Sequence, residues 1–131
     1  MEINQGKLLV AEPSIYGDEN FHRSVILLAN HKPSASLGFI LNKPFDFLLN
    51  DILPEIKNPI QIHYGGPVER DNLYFIHNTP KLISGSIKIN DELYWGGDFE
   101  KVIELLNEGS INEENIRFFL GYSGWGENQL K

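Results

Sequence analysis

Four short, nearly continuous apolar runs constrain this chain most: KLLVA (7–11), SVILLA (24–29), LGFIL (37–41) and IRFFL (116–120), each bounded by turn residues. Runs of that length lack the 3.6-residue period of an amphipathic helix. They read as strands covered on both faces. IQIHY (60–64) alternates instead, with Ile60, Ile62 and Tyr64 on one face and Gln61 and His63 on the other, the pattern of a half-exposed strand. LYFIH (73–77) follows a Gly-Gly-Pro turn, and SIKINDELYW (86–95) reads as a peripheral hairpin turning at Asn90-Asp91, with Ile87 and Ile89 inward.

Two helices are expected. In DFEKVIELLNEG, Phe99, Val102, Ile103 and Leu106 recur at i, i+3, i+4 and i+7, Asp98 is a natural N-cap and Gly109 a natural stop. Glutamates at 100, 104 and 108 line its outer face and repel one another slightly, so packing must hold it. A shorter helix is expected in FDFLLNDIL, opening near Asp46 and stopped by Pro54. Strands outnumber helices, no repeat recurs, and 131 residues suffice for one modest core. The expected fold is a single α+β domain over residues 1–131, with a twisted or partly closed mixed sheet and a few flanking helices.

Charge and composition exclude several functions. A net charge of −7 disfavours attraction to phosphate backbones or anionic membranes. The absence of cysteine removes disulfides, iron–sulfur clusters and thiolate chemistry and accords with a reducing compartment, so a cytoplasmic location is expected. No stretch approaches the roughly 20 apolar residues of a membrane-spanning helix. The four histidines, His22, His31, His63 and His77, lie on separate segments without metal-ligand spacing, so no metal and no cofactor is expected. His77 shares a strand face with Leu73 and Phe75 and reads as a hydrogen-bonded histidine at the edge of the core.

The closing segment, FFLGYSGWGENQLK, carries glycines at 121, 124 and 126. A nucleophile elbow needs Gly-x-Ser-x-Gly, and Trp125 stands two residues after Ser123. A dinucleotide fingerprint would open a helix, which this segment does not. What remains is a strand followed by a glycine-rich turn whose aromatics close one end of the core. The Gly-Gly before Asp98 is a plain turn with its cap, because that carboxylate takes the donors an anion would need. The Gly65-Gly66-Pro67 turn needs no ligand, close approach to one being the alternative. The connection EPSIYGDENFHR (12–23) is the most suggestive for function: a long aperiodic loop in which Arg23 either grips an anion or pairs with Asp18 or Glu12.

The segments GKLLVAEP, GDENFHRSVILLANH, LGFILNKP, YGGPVERDNLYFIH and RFFLGYSGWGENQL resemble, in sequence and order, the AlgH/YqgE family of small bacterial proteins across nearly the whole chain. The most specific matches are Gly-Tyr-Ser-Gly-Trp followed by Gln129-Leu130, Leu-Asn-Lys-Pro at 41–44 and Gly-Gly-Pro-Val at 65–68. The resemblance implies a single α/β-type fold and a historical label of transcriptional regulator connected with alginate production, with no established reaction and hence no catalytic residues to carry over. Positions matching the family motifs that are suited to a binding site are Asp18, Phe21, Arg23, His31, Asn42, Gly65, Gly66, His77, Tyr122, Trp125 and Gln129. Several are expected around a shallow pocket at one end of the sheet. The partner expected is a small molecule or a protein, in preference to DNA, because no basic recognition helix is visible. The alternatives are an enzyme, a hydrolase or transferase working on a small anionic metabolite through Arg23, and a DNA-binding regulator. Family members continue past the Gln-Leu by several tens of residues. This sequence is therefore expected to lack their C-terminal extension and to expose apolar surface for self-association.

Overall fold

The computed structural model describes residues 8–10, 25–32 and 35–126. The elements in chain order are β1 (Leu8–Val10), β2 (Val25–Lys32), β3 (Ala35–Ile40), β4 (Pro44–Leu48), α1 (Leu49–Ile52), β5 (Gln61–Tyr64), β6 (Val68–His77), β7 (Ile87–Lys88), β8 (Tyr94–Trp95), α2 (Phe99–Glu108) and β9 (Ile116–Gly126). The sheet runs β1-β2-β3-β9-β6-β8-β7, and a branch attaches β5 to β9 and β4 to β5. All pairings are antiparallel except β5 with β9. The result is a single mixed sheet curled into a half-barrel with two helices, the α+β architecture expected from the strand-like runs. No helix among the described residues is long and apolar enough to cross a membrane.

β9 organises the sheet. Its first half lies between β6 and β5, with Ile62, His63 and Tyr64 opposite Phe118, Phe119 and Leu120. Its second half pairs with β3, Gly38 opposite Ser123 and Ala35 opposite Gly126. The glycine-rich end is therefore strand and not the turn the sequence suggested. The change of partner occurs at Gly121, whose φ of +76° is open to glycine at little cost. A β-carbon there would stand 2.3 Å from the Gly66 carbonyl oxygen, and one on Gly65 would stand 2.2 Å from the Gly121 oxygen. Three glycines thus let two backbones cross almost in contact. This explains Gly65-Gly66 better than either a plain turn or a ligand.

Alternation along β9 builds two cores. Ile116 and Phe118 face α2 with Ile62, Phe75, Val102, Leu105 and Leu106. Phe119 faces the inside of the half-barrel with Leu27, Ala29, Phe39, Ile76 and Ile89. α2 follows its sequence signals: Asp98 accepts from the Lys101 amide, and Gly109 closes the helix in the left-handed conformation. The hairpin also turns where expected, the Asn90 side chain accepting from the amides of Glu92 and Leu93 at 2.8 Å. Ile89 is buried but Ile87 is 52% exposed, contrary to the inward position read for it. The short helix expected in 45–53 forms over only 49–52, where Pro54 leaves room for a single turn. Phe45 and Phe47 belong instead to β4, stacked on one face at 4.8 Å and packed on the helix-side core. Pairing with β5 decided this, because their i, i+2 spacing suits a strand and wastes one aromatic on a helix.

Candidate functional site at the open end of the half-barrel

The inner face carries an aromatic floor. Phe39 stacks on Phe119 at 5.0 Å and meets Tyr74 at 5.7 Å and Trp95 edge-on at 6.1 Å. At the end where β6 and β9 pair His77 with Ile116, this floor opens into a groove of about 220 Å³. Leu27, Leu41, Ile76, Leu93 and Phe119 line it, and Asn78, Glu113, Glu114, Asn115 and Arg117 contribute its polar groups.

Most of those polar groups are committed elsewhere. Asn115 Nδ2 donates to Asn78 Oδ1 at 3.3 Å, and Glu113 accepts the Gln61 amide at 3.3 Å. Arg117 differs: among the described residues its side chain makes one hydrogen bond, a long one of 3.4 Å from Nη1 to the Leu41 carbonyl, and no ion pair. β9 places it two residues before Phe119, on the same face. His63 reaches this face from β5, its ring 6.0 Å from that of Phe119 and its buried Nδ1 without a partner among the described residues. Burial holds the His63 pKa below its ordinary value, the Arg117 charge adds to the effect, and Glu113 opposes it.

The residues singled out in the sequence divide. Asp18, Phe21, Arg23 and Gln129 lie outside the described residues, as does the whole 12–23 connection. Asn42 accepts the Val25 amide at 2.8 Å and so secures the entry to β2 near the groove. His77 borders the groove, but its ring belongs to the scaffold and is 1% exposed. Its Nδ1 accepts the Thr79 amide, so the neutral ring carries its proton on Nε2 and donates to the Gly96 carbonyl at 3.1 Å. Burial lowers the His77 pKa. Gly65 and Gly66 form the backbone crossing, and Tyr122 beside it packs edge-on against Tyr74 at 5.6 Å. His31 and Trp125 flank Ser36 in the register, at the far end of β2 and β3 from Asn42. Six residues of strand, about 20 Å, separate His31 from Val25. The described candidates therefore do not gather around one pocket.

Ser123 is fully buried and donates to the Gly65 carbonyl at 3.1 Å, with no accessible position for attack on a substrate. Among the described residues no group of three histidine, aspartate or glutamate side chains is placed to hold a metal ion. In the sequence Arg117 stands out only as a lone cation inside an apolar strand, and nothing local ties it to the other groove residues.

The fold and groove define a class: a half-barrel α+β domain with an apolar, arginine-edged groove at its open end. The AlgH-like family model (DUF179) matches residues 8–131, and the chain belongs to that family. A UPF0301 protein of Cytophaga hutchinsonii is 44% identical to it, the match covering 98% of this chain and 71% of that protein. One from Chlorobium limicola is 43% identical over 99% of this chain and 70% of its own length. The solution structure of the AlgH protein from Pseudomonas aeruginosa superposes with a TM-score of 0.73 at 27% identity, over 94% of this chain and 68% of that one. A crystal structure of a Corynebacterium diphtheriae protein gives a TM-score of 0.75 at 23% identity, over 99% and 70%, and shares the fold.

Proposed function

We propose that this chain is a non-enzymatic binding module that takes a small molecule into the groove at the open end of the half-barrel. In this reading, any effect on transcription passes through that ligand or a protein partner and not through direct contact with DNA. The groove itself carries the reading: a concave apolar floor with few convergent polar groups is the usual form of a ligand site. The buried Ser123 supports binding over acyl transfer, since a nucleophile must reach its substrate. The charge of −7 and the glutamates on the outer face of α2 weigh against a DNA-facing helix.

The test is a fragment screen read by amide chemical shifts. Responses clustered on Leu27, Leu41, Ile76, Leu93 and Phe119 are expected. Hits concentrated on another face would overturn the site. Sequence-selective mobility shifts of DNA at moderate salt would overturn the mode of action.

A further inference from the structure

We infer that the groove selects a small organic acid, an apolar body carrying one carboxylate, and that Arg117 is the residue that grips the carboxylate. The inference rests on the groove being a ligand site and adds the class of ligand.

Three observations carry it. The floor, made by Leu27, Leu41, Ile76, Leu93 and Phe119, rewards an apolar body and offers no polar group to a sugar or a base. Among the polar groups above it, Glu113 and Asn115 already spend their side chains on Gln61, Asn112 and Asn78. The Arg117 guanidinium has five N–H donors and spends one of them on the described residues, at 3.4 Å. A planar fork with vacant donors above an apolar floor is complementary to a carboxylate. The Asn78 amide, just beyond the strand end where Ile76 pairs with Arg117, has its Nδ2 unbonded to any described residue and is the nearest second donor.

The same surroundings limit the charge and size of the ligand. Glu113 and Glu114 share the groove with Arg117, so a second negative charge would meet repulsion with no further cation among the described lining residues to offset it. This disfavours phosphate esters and dicarboxylates. The volume of about 220 Å³ lies below the roughly 300–1,000 Å³ of clefts that take drug-sized ligands, so the ligand is small.

Hexanoate, 1-hexanol and hexylamine form a series of equal apolar length that differs in charge. Titrated into the whole chain and followed by amide shifts, hexanoate is expected to perturb the groove residues at the lowest concentration. Arg117→Gln should weaken hexanoate about tenfold, the loss of a hydrogen bond to a charged group, and leave hexanol within about twofold. Arg117 is exposed, so the variant should melt close to the parent. Hexanol or hexylamine binding as tightly as hexanoate would overturn the acid class while leaving the groove as a ligand site. If none of the three moves the groove amides, the ligand-site reading fails along with the inference. A hexanoate affinity unchanged in Arg117→Gln would remove Arg117 from its role. If that variant does not fold, the charge series on the parent decides the acid class, and Arg117→Lys, which keeps the charge but loses the fork, tests the grip.

Discussion

The crossing of the two backbones at Gly65, Gly66 and Gly121 can be weighed one glycine at a time. Gly109 has a φ of +81° and open space around a β-carbon, so Gly109→Ala isolates the conformational cost of the left-handed region, about 1 kcal/mol. Gly65 has no positive φ but would place a β-carbon 2.2 Å from the Gly121 oxygen and 3.0 Å from the Phe119 β-carbon, so Gly65→Ala isolates the steric cost. Rigid backbone on one side leaves no flexible side chain to yield. Overpacking of this kind costs about 1–3 kcal/mol. At risk with it are the Gly65 amide bond to the Leu120 carbonyl at 2.8 Å and the two bonds its own carbonyl accepts, from the Ile40 amide and Ser123 Oγ. Gly121→Ala carries both penalties, with φ at +76° and the Gly66 oxygen 2.3 Å away, and is expected to lose about 2–4 kcal/mol out of a total of about 5–15. Urea unfolding should therefore rank the midpoints Gly109→Ala, Gly65→Ala, Gly121→Ala from most to least stable, with unchanged m-values. In melting temperature the last should fall by about 7–15 °C. If Gly65→Ala and Gly121→Ala cost no more than Gly109→Ala, the two strands are not in backbone contact and the account of how β9 changes partner fails.

Ser123→Ala should cost only about 1 kcal/mol in urea unfolding, because the Gly65 carbonyl keeps the Ile40 amide as a donor; it should leave hexanoate binding unchanged. A loss of binding or activity on this substitution would revive the serine as a working group. His63 and His77 both have folded-state pKa values pushed down from 6.5, chiefly by burial. A depressed histidine binds its proton more readily when unfolded, so stability is fully present above about pH 6.5 and declines as pH falls through that value toward the folded pKa. Urea midpoints between about pH 5.5 and 7.5 should fall with acid, and His77→Gln should flatten part of that slope. A level profile in the parent would show that neither ring is held neutral by the fold.

The apolar runs at 24–29 and 37–41 declared strands covered on both sides, and Ile26, Leu27, Leu28 and Ala29 are each buried. The period of 99–108, with Asp98 and Gly109 at its ends, declared α2, since capping and amphipathic spacing are local properties. The Asn90 turn was equally local. The family was legible too, because motif order is a property of the sequence alone. Tertiary structure decided the rest. Phe45 and Phe47 joined a strand because β5 was there to pair with, and Ile87 was left outside because the two-residue β7 forms the end of the sheet. Gly121 became a bend within β9, where the local signal could not distinguish a bend from a turn. The groove belongs wholly to this second class. Leu27, Leu41, Ile76, Leu93 and Arg117 are scattered over ninety residues of sequence, and only the curl of the sheet around β9 brings them to one rim. Local propensity sets which residues extend or coil, whereas a site depends on contacts whose partners are remote in the chain.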